Sequence, residues 1–540
     1  MDSQFKEEFR LEEPKKRIRR RKKKKPSKPV FKAYEQNQMM LLPPSLEELI
    51  EEKHIVRIVN ETIEKLNTKA LKETYKGGGT SSYDPVMLLK VWIYAILNKI
   101  YTGRQIAKAL KENIHFMWLS GNNRPDFRTI NQFRSKRLEG VIEKIFVEMV
   151  LFLAEGKYID LEKYFVDGTN MRADANKNSY VWKKNTQRYK KAVERRVREM
   201  FKEIDKLNKE EEAKYGEKDL EEYGEESHIT SRDIKEEVEK LNKMIEKNSL
   251  KKPEKKKAEK ILKKLEKKEL PNLEKYEEQE RKYQGRNSYS KTDNDATFLR
   301  KKTKELLPSY TVIAGTENQY IINYSLHQSA SEGSEFKRHL EKFYNNFKKY
   351  PKLISGDSAY GSEENSEYLE EREIENYLKF PTFHYENTNS YKKNKFHKDH
   401  FPYDEKTDSY QCPNGKKMIF HEEVEIKTQS GYKQTIRKYH SENCSGCPYA
   451  NQCKKGKGNR TIQINRKLER YKTIMRRNLT SEKGIQLRKQ RNIDVEPVFG
   501  DIKFNQGYGR FRLRGSQKVN VEMGLLSISH NIKKLSLAVN

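Results

Sequence analysis

The chain has 540 residues, 34% hydrophobic and 36% charged, with a net charge of +32. The length suggests three or four domains, and the charge calls for a large polyanionic partner, nucleic acid ahead of an anionic membrane surface. A membrane span is not expected, since the longest apolar run, Val86 to Leu97, is about a dozen residues and contains Lys90. Nor is secretion, since "MDSQFKEEFRLEEP" is polar and acidic; in a reducing cytoplasm, nucleoid-associated here, the four cysteines read as metal ligands.

Lys15 to Lys25 holds ten basic residues in eleven. Such a block repels itself and stays disordered alone. It reads as a DNA-gripping arm, with a solubilising tail as the plain alternative. From Ser45 to about Leu153 the pattern is helical. "SLEEL" offers Ser45 as N-cap and Glu48 at N3, a capping box. "KGGGTSSYDP" is a loop and "VMLLKVWIYAILNKI" a buried helix. In "RPDFRTINQFRSKRLEG", Asp126 or Thr129 caps a short helix carrying Arg134, Lys136 and Arg137. A short basic helix after two apolar ones suits helix-turn-helix DNA binding; a helical bundle with a charged outer face fits equally.

"KYFVDGTNMRADANK" predicts a strand, a tight turn at Asp167-Gly168 and a second strand. From about Lys183 to Arg281 the chain is Lys/Glu-rich and nearly free of glycine. Apolar residues there keep heptad spacing, at Val193, Val197, Met200, Ile204 and Leu207 and again at Ile234, Val238, Leu241 and Ile245. This predicts an inserted antiparallel helical hairpin, with a third helix near Ala258 to Leu270. Strand signals return in "SYTVIAG" and "QYIINYSLHQSA", around a turn at Thr316–Asn318. A helix, the strand "KLISGD", a second helix and the strand "IENYLKF" follow. The order β-β(insert)-ββ-α-β-α-β from Tyr164 to Phe380 predicts an α/β fold, a mixed sheet flanked by helices.

Three carboxylates stand at telling places. Asp167 and Asp357 each follow an apolar strand and precede small residues, in "YFVDGT" and "LISGDSAYG", which puts side chains at the mouth of a sheet. Glu496, in "VEPVFGDIKF", lies in a stretch, Arg460 to Lys518, with sixteen Lys/Arg against five Asp/Glu. A solvated charge needs no such setting. Three acids of this kind can hold two Mg²⁺ (or Mn²⁺) about 4 Å apart, one activating the attacking oxygen and one stabilising the leaving oxygen of a phosphodiester. One aspartate after a strand is commonly a turn cap; the weight lies in three together in a basic chain. A DxD phosphatase is excluded, because Thr169 stands where its second aspartate would be.

On "FVDGTNMRADANKNSYVW", "SKTDNDA", "LISGDSAYGS" and "VEPVFGDIKFNQGYGRFRLRG", the chain resembles the DDE transposases of bacterial insertion sequences, the IS1182 type within the broad IS4/IS5-like group. "YDPVMLLKVWIYAILNKIYTGRQI" looks like the helical domain that precedes the catalytic domain in these enzymes. The resemblance spans roughly residues 40 to 535. It implies an RNase H-like catalytic fold with Asp167, Asp357 and Glu496 as the metal triad, acting on the terminal inverted repeats of an element and on target double-stranded DNA. Cutting and joining two ends also implies a homodimer in the DNA complex. Related enzymes carry a Y-x2-R-x3-E-x6-K signature at the last acid. Lys503 fits it as a phosphate contact. Asn492 and Lys489 depart from it, with Arg491 one step off, which puts the associated hairpin chemistry in doubt.

The interval between Asp357 and Glu496 is too long for the plain fold and holds every cysteine: Cys412 in "CPNGK", then Cys444, Cys447 and Cys453 in "CSGCPYANQC". C-x2-C with one cysteine on either side is tetrahedral zinc spacing, and four thiolates would make the site structural. Four unrelated thiols are the alternative. His327 either lines the site or belongs to the core. Arg510, Arg512 and Arg514 alternate in "GYGRFRLRG", which would aim all three the same way, at a DNA backbone ahead of a merely solvated face. The organisation expected is a disordered basic arm, 1–40; a helical DNA-binding domain, 41–155; a catalytic domain from 156–182, 286–381 and 466–540; a coiled-coil-like helical insertion, 183–285; and a zinc-binding insertion, 382–465. The rival readings are a nuclease that only hydrolyses and a catalytically idle, transposase-derived DNA-binding protein.

Overall fold

A computed structural model describes residues 45–75, 81–215, 228–246, 252–301, 303–428 and 430–539; the basic arm Lys15–Lys25 and residues 76–80 lie outside the described residues. Two compact units divide the chain, Met1–Leu49 and Ile50–Asn540. In the first, Ser45 Oγ accepts from the Glu47 N–H (3.1 Å) and opens a single 3-10 turn, Leu46–Leu49, rather than a long capped helix.

The second unit begins with helices α1 (Ile55–Lys65), α2 (Lys69–Lys72), α3 (Pro85–Leu97), α4 (Gly103–Glu112), α5 (Ile114–Leu119), α6 (Phe127–Gln132) and α7 (Ile142–Glu155). Their starts follow from sequence. Asp84 accepts from the Val86 and Met87 N–H groups, with Pro85 in the first turn of α3, and Asp126 accepts from the Thr129 N–H (2.8 Å) at α6. α3 is apolar on nearly every side and buried along its length; its Lys90 reaches Asn60 (2.7 Å) and Glu64. α6 continues into a π-turn, Phe133–Arg137, so the short basic helix is present.

Strand β1 (Lys163–Arg172) runs straight through Asp167-Gly168, and the expected turn is absent. Gly168 serves a different purpose. A Cβ there would stand 2.4 Å from the carboxyl carbon of Glu332, so the glycine admits that carboxylate against the strand. After β2 (Tyr180–Trp182) come the inserted helices α8 (Lys183–Tyr215), α9 (Ser231–Glu246), α10 (Lys252–Lys264) and, through a π-turn at Leu265–Glu269, α11 (Leu270–Tyr283). β3 (Ser288–Ser290) then pairs with β2 and closes the base. Val193, Val197, Ile204, Ile234, Val238 and Leu241 share one core with Ala258, Ile261, Leu265 and Leu273. The third helix is longer than expected and closes a seam that a two-helix hairpin would leave open to a second subunit.

β4 (Thr297–Arg300) was not expected; β5 (Leu306–Glu317), β6 (Tyr320–His327), α12 (Phe336–Phe347), β7 (Leu353–Gly356), α13 (Glu363–Glu370) and β8 (Glu375–Leu378) follow as the pattern predicts. The mixed sheet has the order β4-β5-β1-β7-β8, with β6 also paired to β5. β1 is antiparallel to β5 and parallel to β7, and β7 is parallel to β8. The region after β8 was expected only as a cysteine module. It contains α14 (Phe383–Glu386), α15 (Asn389–Lys393) and an antiparallel sheet of β9 (Tyr403–Asp404), β10 (Ser409–Gln411), β11 (Lys417–Lys427), β12 (Lys433–Ser441) and β13 (Thr461–Ile464), with α16 (Ala450–Cys453) between the last two strands. α17 (Arg466–Thr480), α18 (Glu482–Gly500) and α19 (Ser516–Val539) complete the described chain. α19 packs on α1, α3, α7 and β6, so the early helices and the mixed sheet share one hydrophobic core. Among the described residues no helix is long and apolar enough to cross a membrane.

Candidate active site

Val166 of β1 lies opposite Gly356 of β7 in parallel register, so Asp167 and Asp357 follow on adjacent strands, side by side. Asp167 remains in the ladder, opposite Ala314 of β5. Asp357 ends its strand, and its Oδ1 accepts the Ser358 N–H (2.7 Å).

α18 lies across β1, β5 and β7 and brings the third acid. Ser481 caps it, accepting from the Gly484 N–H (3.1 Å). Pro497, inside the helix, has no N–H to give the Ile493 carbonyl. That carbonyl accepts instead from the Gln319 side-chain amide (2.7 Å), in the turn between β5 and β6. Asp494 accepts from Thr316 Oγ1 (2.6 Å) and the Gln319 N–H (3.1 Å), which ties the same turn to the same helix. The sequence setting of Glu496 thus fixes the helix on the sheet, while the Glu496 side chain is 57% exposed.

Arg491 joins the acids. Its Nη2 is 3.1 Å from Asp167 Oδ1 and its Nη1 is 3.5 Å from Glu496 Oε1, and its side chain is 5% exposed. Asn492, where the signature has arginine, is exposed. The residue one step off makes the contacts. Burial pushes the Asp167 carboxyl up; Arg491 opposes this, and Asp357 and Glu496 reinforce it.

Two further residues escaped the sequence reading. Glu332, between β6 and α12, brings a fourth carboxylate to the cluster. Its pKa is pushed up to about 7 by burial and by Asp167, with Asp357 adding and Lys503 opposing. The available signal was an acid at a strand-to-helix junction, in "SEGSE", where small neighbours allow close approach. Lys301, just after β4, donates to the Asn170 carbonyl (3.1 Å), and burial, Lys503 and Arg172 pull its pKa down to about 8. Lys503 lies in a π-turn, Asp501–Asn505, that extends α18, and its ammonium bonds Thr169 Oγ1, two residues from Asp167 on the same strand.

The other expected DNA contacts are engaged within the fold. Arg134 is buried, over the Trp92 ring (4.5 Å) and 3.4 Å from the buried carboxylate of Glu522. A guanidinium so enclosed cannot reach a phosphate, so Arg134 is corrected to a core residue. Arg137 donates to the Thr74 carbonyl and stacks on Tyr75 (4.4 Å), bracing the end of the helix. Arg510, Arg512 and Arg514 do not point one way. Arg510 (2.6 Å) and Arg514 (3.0 Å) both hold Asp174, while Arg512 lies over the Tyr101 ring (4.8 Å). Strand alternation fails because this segment is irregular, with a lone bridge between Arg172 and Arg510. All three arginines are nonetheless exposed. His327 belongs to the interior, between Ser325 (2.7 Å) and Glu335 (3.1 Å).

Cys412, Cys444, Cys447 and Cys453 line one small cavity with Lys454 and Arg460. Burial would raise the Cys444 thiol, but the Arg460 N–H (3.3 Å), Ser441 and nearby lysines outweigh it and pull it down. Burial and the other three cysteines push Cys453 up. The clustering follows from the spacing, and four sulfurs suit zinc; the four carboxylates, as hard oxygen donors that repel one another, suit a divalent cation such as Mg²⁺. Among the described residues, however, no group of three or more His, Cys, Asp or Glu is arranged to hold a metal ion as it stands. At the carboxylates, Arg491 bridges the space between Asp167 and Glu496.

No curated protein and no solved structure matches the chain. Two family models do. Residues 44–136 match one described as "Transposase domain (DUF772)", and residues 411–536 match one described as "Transposase DDE domain". The second match contains Glu496 and all four cysteines and stops short of Asp167 and Asp357. The two matched segments indicate a DDE-type transposase family.

Proposed function

We propose that this chain is the transposase of an insertion sequence, binding the inverted repeats at the ends of the element and catalysing Mg²⁺-dependent strand cleavage and strand transfer. The observation that carries the reading is the convergence of Asp167, Asp357 and Glu496 from β1, β7 and α18. The sheet order, with β6, β5, β1, β7 and β8 in sequence and β5 the antiparallel partner of β1, supports an RNase H-like core. Asp167, Asp357 and Glu496 would hold the divalent ions, which supply a polarised phosphodiester and an activated oxygen nucleophile. Arg491 keeps Asp167 and Glu496 together against their repulsion, and Lys503 offers an ammonium to phosphate beside them. Two ends cut in one reaction suit two copies of the chain on the DNA. The test is incubation of purified protein with duplexes carrying the DNA that flanks its gene. Nicks at the element boundary that require Mg²⁺ or Mn²⁺ are expected. Boundary-specific binding with no cleavage in either metal would favour an idle DNA-binding protein.

The carboxylate cluster sets a pH dependence whose sign is fixed. Asp167 and Glu332 bind protons more tightly when folded, so the stability they contribute is present at acid pH and is lost as pH rises from about 4.5 through about 7, the value for Glu332. A divalent cation binds the ionised form and offsets that loss. Mg²⁺ should therefore raise the melting temperature by several degrees at pH 8 and by much less at pH 5. Equal increments at both pH values would count against a metal site there.

The four cysteines are proposed to hold one structural Zn²⁺ per chain. Cys444→Ser should then lower soluble yield and the melting temperature, because bound zinc contributes folding free energy. Elemental analysis showing no zinc, with four thiols titrating freely, would end this proposal.

A further inference from the structure

Two ammonium groups are held by successive residues of the strand that carries Asp167. Lys503 bonds Thr169 Oγ1, and Lys301 Nζ donates to the Asn170 carbonyl at 3.1 Å. Arg172 follows two residues on, exposed, and both it and Lys503 act electrostatically on Lys301. Three other enclosed lysines among the described residues have a carboxylate: Lys90 has Glu64, Lys342 has Glu143 at 2.5 Å and Lys190 has Glu280 at 2.7 Å. The charges acting on Lys301 are those of Lys503 and Arg172, both cationic, and its ammonium bonds a neutral oxygen. Holding like charges together in a half-buried place costs free energy that an anion between them recovers. The cationic surface also continues away from the carboxylates, since Arg172, Lys177, Arg510 and Arg514 line one open cavity.

We infer that Lys301, together with Lys503 and Arg172, binds a backbone phosphate of DNA next to the phosphodiester that is cut, and so sets which bond lies against Asp167 and Asp357. This rests on the reading of the carboxylate cluster as a DNA-cutting site. Lys301 is a positioning residue in this scheme. It touches a neighbouring phosphate, and its ammonium is a point charge that fixes distance along the strand rather than base identity.

The test pairs a protein change with a DNA change. Duplexes carrying the DNA that flanks the gene are made with one uncharged methylphosphonate, moved one position at a time through the nucleotides around the cut. Binding to wild type and to Lys301→Gln is measured across a salt series. The inference expects Lys301→Gln to flatten the plot of log affinity against log salt by roughly one unit. It also expects one methylphosphonate position that weakens wild-type binding and has no further effect in Lys301→Gln. Lys301→Arg should restore both responses, and cleavage by Lys301→Gln should spread over adjacent bonds. Additive effects at every position, or an unchanged salt slope, overturn the inference. Should Lys301→Gln melt well below wild type, Lys301→Met, which keeps the packed stem, is read in its place by the same criteria. A wild-type protein that cuts no DNA would overturn the cleavage reading, while the binding cycle would still decide whether Lys301 contacts a phosphate.

Discussion

Replacing Asp357 by asparagine should slow strand cleavage by about a thousandfold or more and leave DNA binding within a fewfold of wild type. Asparagine keeps the shape and can still accept the Ser358 N–H (2.7 Å), so the turn after β7 should survive. What it loses is an anionic oxygen. A metal ion contributes several kcal/mol of charge stabilisation in such reactions, and about 1.4 kcal/mol is a factor of ten. Asp167→Asn and Glu496→Gln should behave alike in cleavage but differ in stability. Each frees one hand of Arg491, and Asp167 is the more enclosed of the two partners. Affinity may be measured by anisotropy on flanking DNA and cleavage on the same duplex in Mg²⁺. A single variant cutting at the wild-type rate would remove that residue from the triad.

The second large effect is on stability, at a residue whose sequence setting suggested DNA. Arg134→Met should cost about 3–5 kcal/mol, the usual consequence of leaving one member of a buried ion pair alone. The stranded partner is Glu522, whose side chain is 1% exposed and whose carboxylate also accepts the Arg512 N–H (2.8 Å). Burial already pushes the Glu522 carboxyl up, with Arg134 opposing. The double change Arg134→Met with Glu522→Gln should recover a large part of the loss, because no buried charge then lacks a partner. Urea unfolding of Arg134→Met, Glu522→Gln and the double variant measures this directly. A change below about 1 kcal/mol in Arg134→Met, coupled to a clear loss of DNA affinity, would return the residue to the DNA-facing role.

The difference between those two residues shows what the sequence could convey. Asp167 and Asp357 were legible because an apolar run ending in an acid with small neighbours describes a strand end in local terms, and parallel pairing then does the rest. Glu496 was legible from charge contrast and resemblance, although the role of Pro497 and Asp494 in docking its helix depended on a turn far away in the chain. Arg134 was misread because a basic residue on a short helix looks the same whether it meets solvent or a buried glutamate contributed by α19. The turn at Asp167-Gly168 was misread for a related reason. Asp-Gly is a strong local turn signal, and here the glycine answers a tertiary demand, the approach of Glu332. Glu332 and Lys301 were missed because each depends on which loop folds over β1, which no spacing records. The inserted helices were legible in period and location, the third near Ala258 to Leu270 included; its continuation to Tyr283 was not, because its Lys/Glu-rich surface hides a sparse apolar stripe.

The docking of α18 on the sheet has a consequence for how a cell can safely make such a protein. Arg491 and Asp167 meet across 324 residues of sequence, and the inserted helices and the cysteine-bearing sheet lie between them. Contacts so distant close only when the loop-closure entropy of everything between them has been met. Asp167 and Asp357 come together through adjacent strands of one sheet, and two acids without the third do not make the full cluster. The last acid arrives on a helix locked to the β5–β6 turn by Asp494, Ile493 and Gln319. A nascent or partly unfolded chain therefore lacks the assembled carboxylate cluster. On the proposed reading of the cluster as a DNA-cutting site, folding would act as a safety catch, withholding cleavage from an immature chain.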